Sequence, residues 1–380
     1  MTVSEIGGMC PDDFVPFKQS YSCLFFGSAS SMSWPKNYLF CCHIYNLKFF
    51  QQNMSPAQQN PTLCFKAKAL LLWNGLYFCC LLSSLSVLLC LFAIPRPLII
   101  CVLAPYLAVS CYKRDETKTG APWPFFSKNF VAFTCLREHL QLEFAPLPEK
   151  LIKSASLKEA QFIFAAFPHG TSSDYRLLMD GMLPAVLPSI ANKVRVLTAS
   201  IIFRLPLVRE IALWTSCVDA QKAVAERLVD NKYSLFVLPG GMDEQIMTEH
   251  QKEKIYLKNR KGFIRLALQK GVHVVPIYVF GTSDHYTTSS ACFGVRHWVM
   301  KNLRVCIPLA RGLWGSACPL PVKTTVVMGE PLEFSAPASG GQPTQEEIDK
   351  AHNLFMKAVV TLFNEHKEKF GCANRQLSVY

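Results

Sequence analysis

The chain has 380 residues, half of them apolar and only 17% charged, with a formal charge of +12. Its mean hydropathy of +0.19 is high for a soluble protein and points to membrane contact, with Lys and Arg gathered on the cytosolic side. Sixteen cysteines without a Cys-x-x-Cys pair exclude a zinc ribbon or a thioredoxin-type site and fit a reducing compartment.

Residues 1–60 lack the positive start and early apolar core of a secretory signal; their first basic residue is Lys18. They are read as an N-terminal extension of unknown role. Asn53-Met54-Ser55 is a glycosylation sequon, taken as a chance match because Pro56 follows and the charge pattern puts it in the cytosol.

Residues 61–114 are expected to form a membrane hairpin. Residues 69–94 carry no charge, and at about 1.5 Å per residue such a helix crosses a core of roughly 30 Å. Pro95-Arg96-Pro97 breaks it. The apolar run at 98–112 has fifteen residues, roughly 22 Å as a helix, so the pair just spans or dips in and returns. Lys48, Lys66 and Lys68 precede the hairpin, Lys113, Arg114, Lys118 and Lys128 follow it, and Arg96 lies at its tip. Both termini are therefore expected in the cytosol. Cys111 beside the hairpin is a palmitoylation candidate, with an unmodified thiol preferred.

From 115 to 380 short apolar or β-branched runs alternate with helical segments. Expected strands cover Phe162–Phe167, Val194–Thr198, 235–238, 272–280 and 324–328. Expected helices cover 174–182, 219–230 and Gly262–Lys270, the last capped by Gly271. A final helix opens on a Thr344/Glu347 capping box, buries Ile348, Ala351, Phe355, Val359 and Leu362, and is expected to end at Gly371. The stretch at 335–341 is read as a loop. This alternation predicts an α/β sandwich on a mixed or parallel sheet.

Three stretches carry candidate chemistry. His169 and Gly170 follow the first strand, and Asp174 lies five positions after His169. A histidine takes a proton near neutral pH, and a carboxylate can hold its tautomer, which suits activation of a hydroxyl. Pro239, Gly240 and Gly241 follow another strand, and glycines there let backbone N–H groups approach an anion or oxyanion. Glu244 supplies a second carboxylate nearby. Arg260 and Lys261, with Arg265 and Lys270, put cations at and along a short helix, where phosphates bind. Taken singly, each has a plainer explanation: a solvated histidine, an ordinary turn, a solvated basic face. Gly-x-Ser-x-Gly, Walker A, Gly-x-Gly-x-x-Gly and His-Glu-x-x-His patterns do not occur. The remaining histidines lack ligand spacing, so no metal is expected, and His273 and His285 are read as structural.

Taken together and in order, these residues resemble the type-2 diacylglycerol acyltransferase family, which includes monoacylglycerol and wax-ester acyltransferases. The likeness runs over roughly 69–371. Phe167-Pro168-His169-Gly170 is similar to its His-Pro-His-Gly block, and Pro239-Gly240-Gly241 through Glu244 to its Pro-Gly-Gly-x-x-Glu block. Arg260-Lys261-Gly262-Phe263 and Val275-Pro276 through Phe280-Gly281 are similar to further blocks, and the tail at 343–352 matches as well. Phe167 departs by replacing the first histidine, and Thr282-Ser283 stands where the family has Glu-Asn. These departures leave the acceptor lipid open.

The resemblance implies an endoplasmic reticulum membrane O-acyltransferase, with the lipid droplet as a second location. Acyl-CoA is the implied donor, diacylglycerol or a related neutral lipid the acceptor, and no cofactor is implied. His169 would act as general base, oriented by Asp174 or less readily by Glu244. Gly170, Pro239, Gly240 and Gly241 would shape the oxyanion and substrate loop, and Arg260, Lys261 and Arg265 would hold CoA phosphates. Monoacylglycerol, a long-chain alcohol and a lysophospholipid are alternative acceptors. A non-catalytic lipid-binding or lipid-droplet protein is the rival of a different class. A nucleic-acid partner is disfavoured because the charge is dispersed. A homo-oligomer is compatible with the chain and not specified by it.

Overall fold

The computed structural model describes residues 63–90, 115–157, 160–335 and 342–380. The expectations for the N-terminal extension, the sequon, the Pro95-Arg96-Pro97 breaker, the run at 98–112, Cys111 and all but the first residue of the 335–341 loop lie outside the described residues.

The first described element is helix α1, Leu63–Cys90. One face repeats every three to four residues: Ala69 and Trp73 are buried, and Leu76 and Cys80 are half-buried. The opposite face exposes Leu71, Phe78, Leu81 and Leu82. Within it, Phe65–Ser84 is the stretch among the described residues long and apolar enough to cross a membrane by length and composition, and only 11% of its most apolar window is buried. The buried face packs on helix α2, Val131–His139, where the Trp73 and Phe133 rings lie 6.3 Å apart. Polar anchors fix the register. Asn74 Oδ1 accepts the Ala317 N–H at 3.0 Å, and the Ser83 hydroxyl donates to the Pro206 carbonyl at 2.9 Å.

The centre is a seven-stranded mixed sheet with the order β1-β10-β7-β2-β5-β3-β4. Its strands are β1 Glu143–Phe144, β2 Phe162–Phe167, β3 Val194–Thr198, β4 Cys217–Asp219, β5 Ser234–Val237, β7 His273–Phe280 and β10 Thr325–Met328. Strand β2 runs parallel to both β5 and β7, while β10 is antiparallel to β7. Small paired strands complete the set: β6 Lys254–Ile255 with β11 Ser378–Val379, and β8 Thr287–Thr288 with β9 Ala310–Arg311.

The period of two along β2 feeds a core on each face. Phe162, Phe164 and Ala166 join Trp73, Phe133 and Tyr175 on one side. Ile163, Ala165 and Phe167 face three helices on the other: α4 Lys222–Asp230, α6 Gly262–Lys270 and α8 Gln345–His366. In the chain α3 Asp174–Asp180 precedes these, and α5 Gly241–Met247 and α7 Phe293–Leu303 lie between them. The parallel pairing turns the C-terminal ends of β2, β5 and β7 to one end of the sheet, where open α/β sheets place their ligands.

The expected strands form at the expected residues or within one residue of them. Three helices differ from expectation; the one expected over 174–182 ends at Asp180, with Gly181 as its C-cap. The helix expected from 219 begins at Lys222, because Cys217–Asp219 is a strand paired with β3; three residues are too few to display a period. The last helix ends at His366, not at Gly371, and turns carry the chain past the end of its apolar stripe at Phe363. Its capping box is present: Thr344 Oγ1 accepts the Glu347 N–H at 3.2 Å, and Glu347 returns the bond to the Thr344 N–H at 2.7 Å.

Phe355 on α8 is fully buried against Phe167 and Phe263. Phe355→Ala is expected to destabilise the domain by about 3–5 kcal/mol, whereas truncating its exposed neighbour Leu354 should stay within about 0.5 kcal/mol. Unfolding in detergent measures both; equal effects would mean that α8 does not seal this core.

Candidate active site

The candidate catalytic loop leaves the end of β2. The Pro168 carbonyl accepts the Tyr175 hydroxyl at 2.9 Å, so the start of α3 folds back over the strand end. His169 comes next. Gly170 then turns the chain at φ +67°, where a side chain would be strained and its Cβ would stand 2.5 Å from the Thr282 methyl. The Thr171 carbonyl accepts Gln245 Nε2 at 2.6 Å, which ties the loop to α5.

The imidazole keeps part of its surface open to solvent while dense protein surrounds it. His169 Nδ1 lies 3.1 Å from the Gly170 carbonyl oxygen. A carbonyl only accepts, so Nδ1 carries the proton and Nε2 is left as the base. Among the described residues Nε2 has no protein partner. Burial holds the histidine below its ordinary value, partly opposed by the Gly170 carbonyl, so it is neutral at physiological pH.

The two carboxylates do not do what sequence spacing suggested. Among the described residues no hydrogen bond joins the His169 ring to Asp174 or to Glu244. Asp174 is buried and accepts from Tyr286 Oη at 2.6 Å and Ser172 Oγ at 2.5 Å, with the Tyr77 hydroxyl of α1 beside it. Burial raises its pKa, and these hydroxyls oppose the rise. The expected Asp174-to-imidazole bond is therefore corrected: the Gly170 carbonyl occupies Nδ1, and three hydroxyls surround the carboxylate. Glu244 accepts the backbone N–H of His169 at Oε1 and that of Tyr256, at 2.7 Å, at Oε2. It braces the peptide, not the ring. Burial pushes Glu244 up to about 7, against those two N–H groups and the charge of Arg260.

Gly240 leaves room for this carboxylate, since a Cβ there would overlap it. Gly241 adopts φ +54°, and its N–H is committed to the Leu238 carbonyl at 3.1 Å. That bond removes Gly241 as a free oxyanion donor in this conformation. Of the three expected phosphate ligands, Arg260 lies beside the site. It pairs with Asp243, approaches the Gly240 carbonyl at 3.5 Å and covers the Tyr256 ring. Lys261 and Arg265 instead reach the N-terminal part of α8, at Asp349 (2.6 Å) and Gln345 (3.4 Å). His285 is buried against the Thr324 hydroxyl at 2.7 Å, and burial lowers it to about 3.

Sequence reading missed Ser172, Tyr286, Thr282 and Tyr256. No local signal marks them: Tyr286 is 112 residues from the carboxylate it serves, and Tyr256 contributes only a backbone N–H. Ser172 lies between Gly170 and Asp174, where the sequence gives it no role. Beside the loop, two adjoining hollows run from Thr171, Gln245 and Leu309 to Phe293 and Arg296, the larger about 160 Å³.

Several known proteins are similar to this chain. A family model described as diacylglycerol acyltransferase matches residues 92–379. Human diacylglycerol O-acyltransferase 2 is 30% identical over 68% of this chain and 68% of its own length. Diacylglycerol O-acyltransferase 1 of Eremothecium gossypii is 27% identical over 58% of this chain, which spans about half (50%) of that relative. Human acyl-CoA wax alcohol acyltransferase 2 is 28% identical over 64% of this chain and 78% of its own length. A crystal structure of a 1-acyl-sn-glycerophosphate acyltransferase from Thermotoga maritima, 17% identical, aligns with a TM-score of 0.39 over 78% of this chain and 96% of that one.

The raised Glu244 sets a pH dependence. Its pKa is about 7 when folded against 4.5 as the reference value, so its contribution to stability is full below the lower value and is lost as pH rises through the higher one. The unfolding midpoint of the wild type should fall relative to that of Glu244→Gln over that window. Parallel curves for the two proteins would show that Glu244 is not held protonated by burial.

Proposed function

Because the chain belongs to the diacylglycerol acyltransferase family and is an acyltransferase, we propose that it moves a fatty acyl group from acyl-CoA to diacylglycerol, giving triacylglycerol. His169 Nε2 takes the proton of the acceptor hydroxyl. The alkoxide oxygen bonds to the thioester carbonyl carbon, the C–S bond breaks, and the CoA thiolate leaves with the proton returned by the imidazolium. No acyl-enzyme forms. The observation that carries this reading is the bond between His169 Nδ1 and the Gly170 carbonyl, which leaves Nε2 as the base of a partly buried histidine.

Glu244 and Asp174 act as positioning carboxylates. Glu244 fixes the His169 peptide, and Asp174 gathers Ser172 and Tyr286 behind the catalytic turn. Arg260 holds a CoA phosphate by exchanging its Asp243 partner for the ligand. Lys261 and Arg265 are committed to α8 and contribute less. The α/β domain is seated on the membrane through α1 and the apolar run that follows, as one hairpin with both termini cytosolic, in the endoplasmic reticulum or on the lipid droplet. Departures at Phe167 and Thr282-Ser283 keep other neutral acceptors, such as a long-chain alcohol, as outcomes of the same experiment.

That experiment is expression in cells unable to make triacylglycerol or wax esters, followed by identification of the neutral lipid that accumulates. Triacylglycerol is expected. A wax ester alone would reassign the acceptor, and no product would return the chain to a lipid-binding role. His169→Ala should lower transfer by about 10²- to 10⁴-fold, with Asp174→Asn and Glu244→Gln losing less. A His169→Ala variant with wild-type turnover would refute the base assignment.

Two kinetic outcomes follow from the geometry. The lowered pKa of His169 keeps its base form available, so in Glu244→Gln, which removes the group at about 7, kcat/KM should stay flat on acidification until the pH is below 6.5; an inflection at or above that value in this variant would contradict it. Arg260→Gln should raise KM for acyl-CoA with kcat largely intact, the pattern of lost ground-state binding, while Arg265→Gln should change KM little. Equal effects of the two substitutions would place the phosphate elsewhere.

A further inference from the structure

We propose that α7 and the segment from Arg304 to Trp314 form a second membrane-seating surface, which lies on an anionic phospholipid leaflet beside the catalytic loop. This goes beyond the acyl-transfer reading, which it needs only for its purpose. The surface exposes large apolar side chains that would normally be buried: Val295 (66%), Trp298 (60%), Leu303, Ile307, Leu309 and Trp314 (63%). Scattered exposed apolar residues are ordinary, but a run of them with two tryptophans marks an interface. Tryptophan favours the boundary between headgroups and acyl chains, where its ring is apolar and its N–H stays wet.

Charge selects the occupant. Between Asp284 and Glu330 the chain contains no acidic residue, while Arg296, Lys301, Arg304, Arg311 and Lys323 are basic. Arg296 is buried and builds the surface. Its guanidinium donates to the carbonyls of Ala291 and Ser289, both at 3.0 Å, and of Ile307 at 3.3 Å, which clamps the 305–309 strip onto α7. Lys301 pairs with Asp243 at the edge. Arg304 and Arg311 are exposed, and among the described residues neither has an acidic partner. An apolar surface with aromatic anchors and cations fits an anionic leaflet, where each such cation adds about 1 kcal/mol of attraction.

Two connections place this surface in the working enzyme. The Ala317 N–H bonds to Asn74 Oδ1 on α1, so Trp314 sits close to the apolar helix and can share its leaflet. Strand β9 pairs with β8, directly after Tyr286, and Leu309 lines a hollow together with Thr171 of the catalytic loop. The proposed surface therefore adjoins the loop that carries His169.

The test uses the full chain in vesicles of phosphatidylcholine and phosphatidylserine whose acyl chains carry bromine, which quenches tryptophan on contact. Wild-type fluorescence should be quenched more than that of a Trp298→Phe/Trp314→Phe variant. Arg304→Glu/Arg311→Glu should lose part of that quenching in anionic vesicles and little in pure phosphatidylcholine. Unfolding midpoints in detergent confirm that these exposed substitutions leave the fold intact. Identical quenching of wild type and the double Phe variant would overturn the proposal, as would tryptophans shielded from bromine between two copies of the chain. Transfer by the wild-type chain is measured separately: quenching without transfer refutes the function but not the surface, and transfer without quenching refutes only the surface.

Discussion

One buried carboxylate holds the site together. Glu244 accepts the N–H of His169 from the loop after β2 and the N–H of Tyr256 from the loop after β6. Two loops far apart in sequence thus meet on one side chain, and a buried carboxylate needs both donors to offset its lost hydration. The geometry is possible because Gly240 has no side chain to fill the space the carboxylate enters. The Pro-Gly-Gly stretch therefore serves the histidine's backbone. Its glycines are there for close approach, and Gly241 closes a turn with its own N–H.

The Tyr256 side of that bridge is itself held from the C-terminus. Strand β11 pairs with β6, and Arg375 joins Glu253 at 2.9 Å and Asp284 at 2.8 Å. Glu253 is buried and also accepts from Tyr278 at 2.8 Å and Ser283 at 2.7 Å. Ser283 and Thr282 stand where the sequence departs from the family pattern. Thr282 sets its methyl against Gly170 and Ser283 completes the Glu253 cluster, so both sit behind the turn that follows His169. Buried ionic clusters of this kind give specificity of arrangement more than net stability.

Asp174 faces the other way. With Ser172 and Tyr286 it forms a hydroxyl-lined carboxylate beneath α1, where the Tyr77 hydroxyl closes it. The apolar helix is thereby part of the catalytic domain's packing. It is anchored at Asn74 and Ser83 while its far face stays apolar and uncovered. The one helix among the described residues long and apolar enough to cross a membrane is thus packed against the carboxylate that stands behind the His169 loop.

The sequence by itself determined the α/β class, most strands to within a residue and the capped final helix, and it singled out the three candidate stretches. Those features are local: a period of two, a helical stripe, a capping box and glycines after strands are written in neighbouring residues. It also marked α1 by the absence of charge. Only the tertiary structure decided what each site residue does. His169 and Asp174 are five positions apart, yet the Gly170 carbonyl takes the ring nitrogen and residues 112 positions away take the carboxylate. Glu244 was legible as a nearby carboxylate but not as the acceptor of two backbone N–H groups. Arg260 and Arg265 looked alike in sequence and separate in space, one to the site and one to α8. Hydrogen-bond partnership depends on direction and distance between loops, which spacing along a chain does not encode.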